Sequence, residues 1–240
     1  MLWRVRAWIT RRIQPWLSVS LRRELLDRDL HGLRSVMTGR VLEIGAGRES
    51  RRGAFQPPFS GVEAWLLVDL SCGNRPHVCG DVTSLPLPEA SFDTVVCLEV
   101  LEYVADPLLA LRELHRVVMP GGRLILSVPF MHRWDAERDY WRPTPPGLTF
   151  CLTRTGWCVE SLQTQGGILA VLVNVTRHLL AKHPKSTGWL MVCLLLDPLL
   201  RWMTRLDPRV TARSPTFATF STGMLVVGRS APRHDPFRVV

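Results

Sequence analysis

The chain has 240 residues, 46% of them hydrophobic and 21% charged, which suits one folded α/β domain with its own core and excludes a disordered or low-complexity chain. Lys and Arg number 30 against 21 Asp and Glu, and 28 of those 30 are Arg. The excess is uneven: residues 1–40 hold nine basic and three acidic residues, 41–176 hold 11 and 15, and 177–240 hold ten and three.

Basic ends around a mildly acidic middle suit contact with an anionic surface, either phospholipid headgroups or nucleic acid. The Arg-rich composition of a GC-rich genome explains the same numbers. The six cysteines (72, 79, 97, 151, 158 and 193) form no Cys-x-x-Cys pair, so no zinc or other metal site is expected, and a reducing cytoplasm is the natural compartment.

The start, MLWRVRAWITRRIQPW, has no uninterrupted apolar stretch of a secretory signal. On a helix, Leu2, Val5, Ile9 and Ile13 share a face flanked by Trp3 and Trp8, as in a helix lying in a membrane interface or packed on the domain. Residues 1–39 therefore read as a basic helical segment, and 40–240 as the main domain.

From residue 40, strands alternate with crossover helices, the pattern of a parallel sheet. RVLEIG (40–45), AWLLVDLS (64–71), PHVCGDV (76–82), SFDTVVCLEV (91–100) and GRLILSVP (122–129) read as strands 1 to 5. Asp106-Pro107 opens a helix with apolar residues at 108, 111, 114, 117 and 118, and Pro120-Gly121-Gly122 reads as the turn after it. A short helix ending at Gly156 precedes strand 6 (157–164), and 222–230 is the last strand. Before that strand lies a helical insert, about 167–215. Its apolar runs 167–181 and 189–203 are shorter than the roughly 20 residues that span a bilayer, and Asp197-Pro198 is expected to break the second.

The chemistry starts at Glu43-Ile44-Gly45-Ala46-Gly47, a strand end running into Gly-x-Gly. Glycine permits the sharp turn and a close ligand, and the next helix offers free N–H groups. A dinucleotide fingerprint wants a third glycine, where this chain has Ser50. Glu43 would repel a pyrophosphate but suits a cofactor bearing an ammonium and a sulfonium. Asp69 closes strand 2, where a carboxylate can accept from both ribose hydroxyls, and Asp81 closes strand 3, where one can accept from an adenine amine. One such acid is more often a cap or a solvated loop residue. Three in phase line the edge where open α/β sheets bind ligands.

From Val41 to Pro129, the ordered blocks VLEIGAG, LLVDLS, GDVTSLPLPEASFDTVVCLEVLEYVADP and ELHRVVMPGGRLILSVP resemble the class I S-adenosylmethionine-dependent methyltransferases. The resemblance implies a Rossmann-like, doubly wound α/β fold. Its seven-stranded sheet would be mostly parallel with the last strand antiparallel, and the cofactor would be S-adenosyl-L-methionine. By the same resemblance, Glu43, Gly45, Ala46 and Gly47 surround the methionine part, Asp69 and Leu70 bind ribose and flank adenine, and Asp81 and Val82 hold adenine. Leu98 lies near the cofactor, Glu99 and Tyr103 face the substrate, and Tyr103 stands where this branch commonly has histidine.

The following PFMHRWDAERDYWRPTPPGL resembles a stretch of bacterial methyltransferases associated with cell-surface glycan synthesis. There His132 would be a general base, with Asp139 beside it as a catalytic residue. Tyr140 and Trp141 would stack on a sugar, and Arg142 would grip a carboxylate or phosphate. Alternatively, Asp139, Tyr140 and Arg142 brace the loop. The expected reaction is O-methylation of a glycan, lipid-linked sugar or other small molecule at the inner face of the cytoplasmic membrane, with peripheral contact to anionic lipid. The alternatives are a quinone or lipid acceptor reached through residues 167–203, or a binding protein of the same fold without catalysis. Nucleic acid is disfavoured, because Cys97-Leu98-Glu99-Val100 is no Asn/Asp-Pro-Pro-Tyr-type motif.

Overall fold

A computed structural model describes residues 7, 8, 10, 11, 18–47, 54–58, 60–134, 137–182 and 186–231. Most of the amphipathic segment expected at 1–16, together with Ser50, lies outside the described residues. The chain divides into two compact units, one of residues 1–27, 131–133 and 164–223, the other of 28–130, 134–163 and 224–240.

Seven strands form the sheet: β1 (Gly39–Ile44), β2 (Val62–Asp69), β3 (Val78–Cys79), β4 (Phe92–Leu98), β5 (Val118–Pro129), β6 (Trp157–Gln165) and β7 (Gly223–Ser230). Their order is β3-β2-β1-β4-β5-β7-β6. The first five pair in parallel, and β7 runs antiparallel. The order reverses between β1 and β4, so the carboxyl ends of those strands open the crevice in which such sheets bind ligands. Val41, Leu42, Val95, Val96, Leu124, Ile125 and Leu126 are fully or almost fully buried, which is why these strands read as continuous apolar runs.

Helix α1 covers Leu21–Gly32, α2 Pro107–Val117 and α3 Pro145–Arg154. Asp106 caps α2 as expected, its side chain accepting from Leu109 N at 2.9 Å. Two boundaries differ from the sequence reading. β3 shrinks to two residues, as edge strands often do, where Gly80 follows with no room for a Cβ beside Pro86. β5 starts at Val118, four residues early, because the register shift between Phe92 and Thr94 gives Pro120 and left-handed Gly121 (φ 79°) a bulge to occupy. Cys72 and Cys79 are joined in a disulfide, a pairing their spacing did not suggest.

His115, on α2, stacks edge-on against Trp157 at 5.3 Å and meets Ser230 Oγ at 3.1 Å. Burial pushes its imidazole below the ordinary value, outweighing the contacts with the Ala231 and Gly156 backbones. The unfolded chain therefore binds the proton more readily. His115 favours the fold fully above its unfolded value of about 6.5 and progressively less as pH falls below it. Urea midpoints should drop between pH 7 and pH 5, and His115→Gln should flatten that dependence.

The other unit is helical. α4 (Ile168–Lys182) and α5 (Thr187–Arg213) pack on each other around Ala170, Val173, Leu180, Leu190, Cys193 and Leu200, joined by Leu21 and Leu25. A short α6 (Pro215–Ala218) follows. Asp197-Pro198 does not break the second helix. α5 runs through Pro198 and Pro208, because a proline deletes one helical hydrogen bond while Leu190, Cys193, Leu200 and Asp207 stay anchored. Asp207 is buried and accepts from Gly167 N at 2.7 Å and Ala170 N at 3.0 Å, satisfying the start of α4 from a distant helix. Asp207→Ala orphans both donors and should cost about 3 kcal/mol in urea unfolding.

Candidate active site

At the carboxyl ends of β1, β2, β3 and β4 lies a cavity of about 590 Å³. Ile44 and Gly45 form one part of its wall, Asp69 and Leu70 a second, Asp81, Val82 and Thr83 a third, and Glu99 to Leu109 a fourth, with Arg138 and Tyr140 at its rim.

Gly45 (φ 69°) and Gly47 (φ 59°) take left-handed conformations that turn the chain away from β1, and a Cβ on Gly45 would sit 2.2 Å from Val100 Cγ2. The turn is tied to the neighbouring strand: Gly45 N donates to Val68 O at 2.9 Å and Gly47 N to Asp69 Oδ2 at 2.8 Å. The other Asp69 oxygen accepts from Ser71 N and Asn74 Nδ2. Asp69 thus orders two loops while its carboxylate faces the cavity. Leu70 beside it is 66% exposed, an apolar surface waiting for a flat ring. Asp81 accepts from Thr83 N and Oγ1 through one oxygen, both at 2.8 Å.

Glu99 follows β4 with φ 56°, unusual for a side chain other than glycine, and Ser127 Oγ donates to its carboxylate at 2.8 Å. Behind it, burial and then the charges of Glu102 and Glu99 push the Cys97 thiol far above its ordinary value, so Cys97 is core and not a nucleophile.

The loop after β5 reaches this cavity by one backbone and one side-chain hydrogen bond: Tyr140 N donates to Glu102 O at 2.8 Å and Trp141 Nε1 to Leu101 O at 2.6 Å. Tyr140 (53% exposed) and Tyr103 (38%) line the cavity as exposed rings. Trp141 instead packs on the core, and Arg142 forks onto both oxygens of Asp139.

Of the residues singled out in the sequence, the cavity brings together Gly45, Asp69, Leu70, Asp81, Val82, Glu99, Tyr103 and Tyr140. Ala46 and Gly47 follow β1 in the turn and are not among the lining residues. Glu43 lies on β1 and accepts from Trp65 Nε1 at 2.7 Å, and Leu98 ends β4. His132 belongs to the helical unit, where its Nδ1 meets Asn174 Nδ2 at 3.0 Å and its ring packs edge-on against His178 at 5.1 Å. Arg138, Thr83 and Asp106 line the cavity without having been singled out. Asp106 was legible only as a helix cap, and Arg138 sits in a loop with no periodicity to mark it.

With Asp69, Asp81, Glu99 and Asp106 against Arg138 alone, the lining is acidic. It suits a ligand with a ribose, an adenine and positive charge, and it would repel a pyrophosphate.

The family described as "Methyltransferase domain" matches residues 61–126. A demethylmenaquinone methyltransferase of Streptomyces griseus is 43% identical over 182 residues, 58% of this chain and 76% of that one. A ubiquinone biosynthesis O-methyltransferase of Pseudomonas aeruginosa is 56% identical over 100 residues, 37% of this chain and 43% of that one. The chain thus spans less than half of the Pseudomonas relative's length. Among solved structures, one from Galdieria sulphuraria assigned as a sarcosine dimethylglycine methyltransferase shares the fold at TM-score 0.56 and 14% identity, over 87% of this chain and 84% of that one.

Proposed function

We infer, because the chain belongs to the class I S-adenosylmethionine-dependent methyltransferases, that it transfers a methyl group to an oxygen of a glycan, a lipid-linked sugar or another small hydroxylated molecule at a membrane face. The observation that carries this reading is the acidic cavity at the strand ends, with Gly45, Asp69 and Asp81 on its wall.

S-adenosylmethionine bound there supplies a methyl group on a sulfonium. The chain's own residues bind and align. Asp69 would offer a ribose hydroxyl the one lone pair its loops leave on Oδ2, Leu70 and Val82 would cover the adenine, and Asp81 would accept from its amine. Glu43, Ala46, Gly47 and Leu98 flank the lining residues Ile44, Gly45 and Glu99 in sequence. The negative lining favours a cationic ligand. On the acceptor side, Tyr103 and Tyr140 present ring faces that suit a sugar, Arg138 offers a charged donor, and Glu99 can accept an acceptor hydroxyl's proton. Asp139 and Arg142 act as the brace that holds Tyr140 at the rim. Alignment does most of the work in a displacement of this kind.

A second reading, transfer to a quinone, is favoured by the relatives, whose names specify demethylmenaquinone and ubiquinone synthesis. Labelled S-adenosylmethionine incubated with membrane extracts separates the two. Acid hydrolysis yielding a labelled O-methyl sugar supports the first reading, and label on an intact isoprenoid quinone supports the second. Label confined to RNA or protein would contradict both.

A further inference from the structure

The helical unit carries a surface that the cavity chemistry does not use. On α4, Leu172, Val175 and Leu179 are exposed at a spacing that aligns them on one face, and Lys182 ends that row. On α5, Met191, Leu195, Leu199 and Trp202 form a second exposed row. The same azimuth then carries Arg209 and Arg213, with Arg205 beside them, all exposed. The two acids of these helices, Asp197 and Asp207, are both buried. Asp197 holds Arg201 at 2.7 Å and Asp207 caps α4. Every exposed charge on the described residues of the pair is therefore positive.

Beside the α4 row lies a cavity of about 320 Å³ with apolar walls at Val175 and Leu179, lined as well by His132, Arg133, His178 and Lys182. Burial, and then the positive charges of Arg133, Lys182 and Arg177, hold the His178 imidazole below its ordinary value. The cavity joins hydrocarbon surface to a positive field.

We propose that the α4–α5 pair docks on an anionic phospholipid bilayer, its exposed apolar rows in the interfacial layer and its Lys and Arg side chains on lipid phosphates. The chemistry matches at each point. Apolar rows with an interfacial tryptophan suit the acyl boundary, and cations without exposed acids suit an anionic headgroup plane. No helix of the described residues is long and apolar enough to cross a membrane, so the contact lies in the interface plane. A second copy of the chain fits this face poorly, because it would bring the same cations against themselves. This docking deepens the membrane-face part of the proposed function, and vesicle binding without cofactor tests it apart from methyl transfer.

Sedimentation of the full chain with vesicles tests it. Vesicles of phosphatidylglycerol and phosphatidylcholine should retain the chain, pure phosphatidylcholine should retain at least tenfold less, and 1 M salt should release it. Leu195→Glu/Trp202→Glu and, separately, Arg205→Glu/Arg209→Glu/Arg213→Glu should each weaken retention at least tenfold. All these positions are exposed, so unchanged circular dichroism and S-adenosylmethionine affinity will show that the variants fold. Retention that ignores lipid charge, or survives both sets of substitutions, overturns the proposal. So does a concentration-dependent dimer lost in Leu195→Glu/Trp202→Glu with no vesicle binding, which would give the face to a second copy.

Discussion

Asp69→Ala should weaken S-adenosylmethionine binding on the order of a thousandfold while leaving the fold intact. The carboxylate ends β2 at the cavity, and its two oxygens already take N–H groups from Gly47 and Ser71 and the amide of Asn74. Removing it deletes the remaining acceptor for a ribose hydroxyl, a charge-assisted hydrogen bond contributing about 1.5–3 kcal/mol. It also releases Gly47, so the turn that shapes the wall loses its tie. Two such losses amount to about 4 kcal/mol, or roughly three orders of magnitude in Kd. Asp69→Asn keeps the shape and one accepting oxygen, so it should fall between the two in calorimetric titration. An unchanged Kd in Asp69→Ala would remove Asp69 from the site.

The second large effect is on stability. Arg142→Ala should lower unfolding free energy by about 3–5 kcal/mol, the cost of leaving a buried charge without its partner. The Asp139 side chain is 2% exposed, and both its oxygens are held by the Arg142 fork. Burial works to lower the Arg142 guanidinium's affinity for its proton, and the Asp139 hydrogen bonds more than offset it. Arg142→Lys should recover little, since an ammonium cannot make the planar two-point contact. Asp139→Asn/Arg142→Gln, which removes both charges, should be milder than the Arg142→Ala truncation. Urea unfolding of the three variants checks this, and a small loss in Arg142→Ala would mean the pair is dispensable to the loop.

The legible part of the molecule was the part whose physics is local. β1 and β4 are largely buried, so their apolar runs announce them, and Asp106-Pro107 announces α2 because a cap and a first-turn proline are read within four residues. The strand-end acids Asp69 and Asp81 were found because the parallel sheet brings successive carboxyl ends to one edge. What escaped depends on register or distant partners. Glu43 stands across from Leu67, with Trp65 two residues earlier on the same face of the neighbouring strand, so its hydrogen bond to that indole follows from pairing and not from any motif. Pro198 looked like a break because only its missing N–H is visible in sequence, while the buried anchors on either side are not. Bracing of the loop by Asp139 and Arg142 was legible as an alternative, and the burial of the Asp139 side chain, which makes the pair costly to break, was not.

The most direct measurement is a calorimetric titration of the wild-type chain with S-adenosylmethionine and, in parallel, with NAD. Saturable binding of the sulfonium cofactor at one site per chain, with no NAD binding, is the predicted result, because the acidic lining accepts one charge type and repels the other. Binding of NAD without binding of S-adenosylmethionine would contradict the reading of the Gly45 turn and of every residue placed around it.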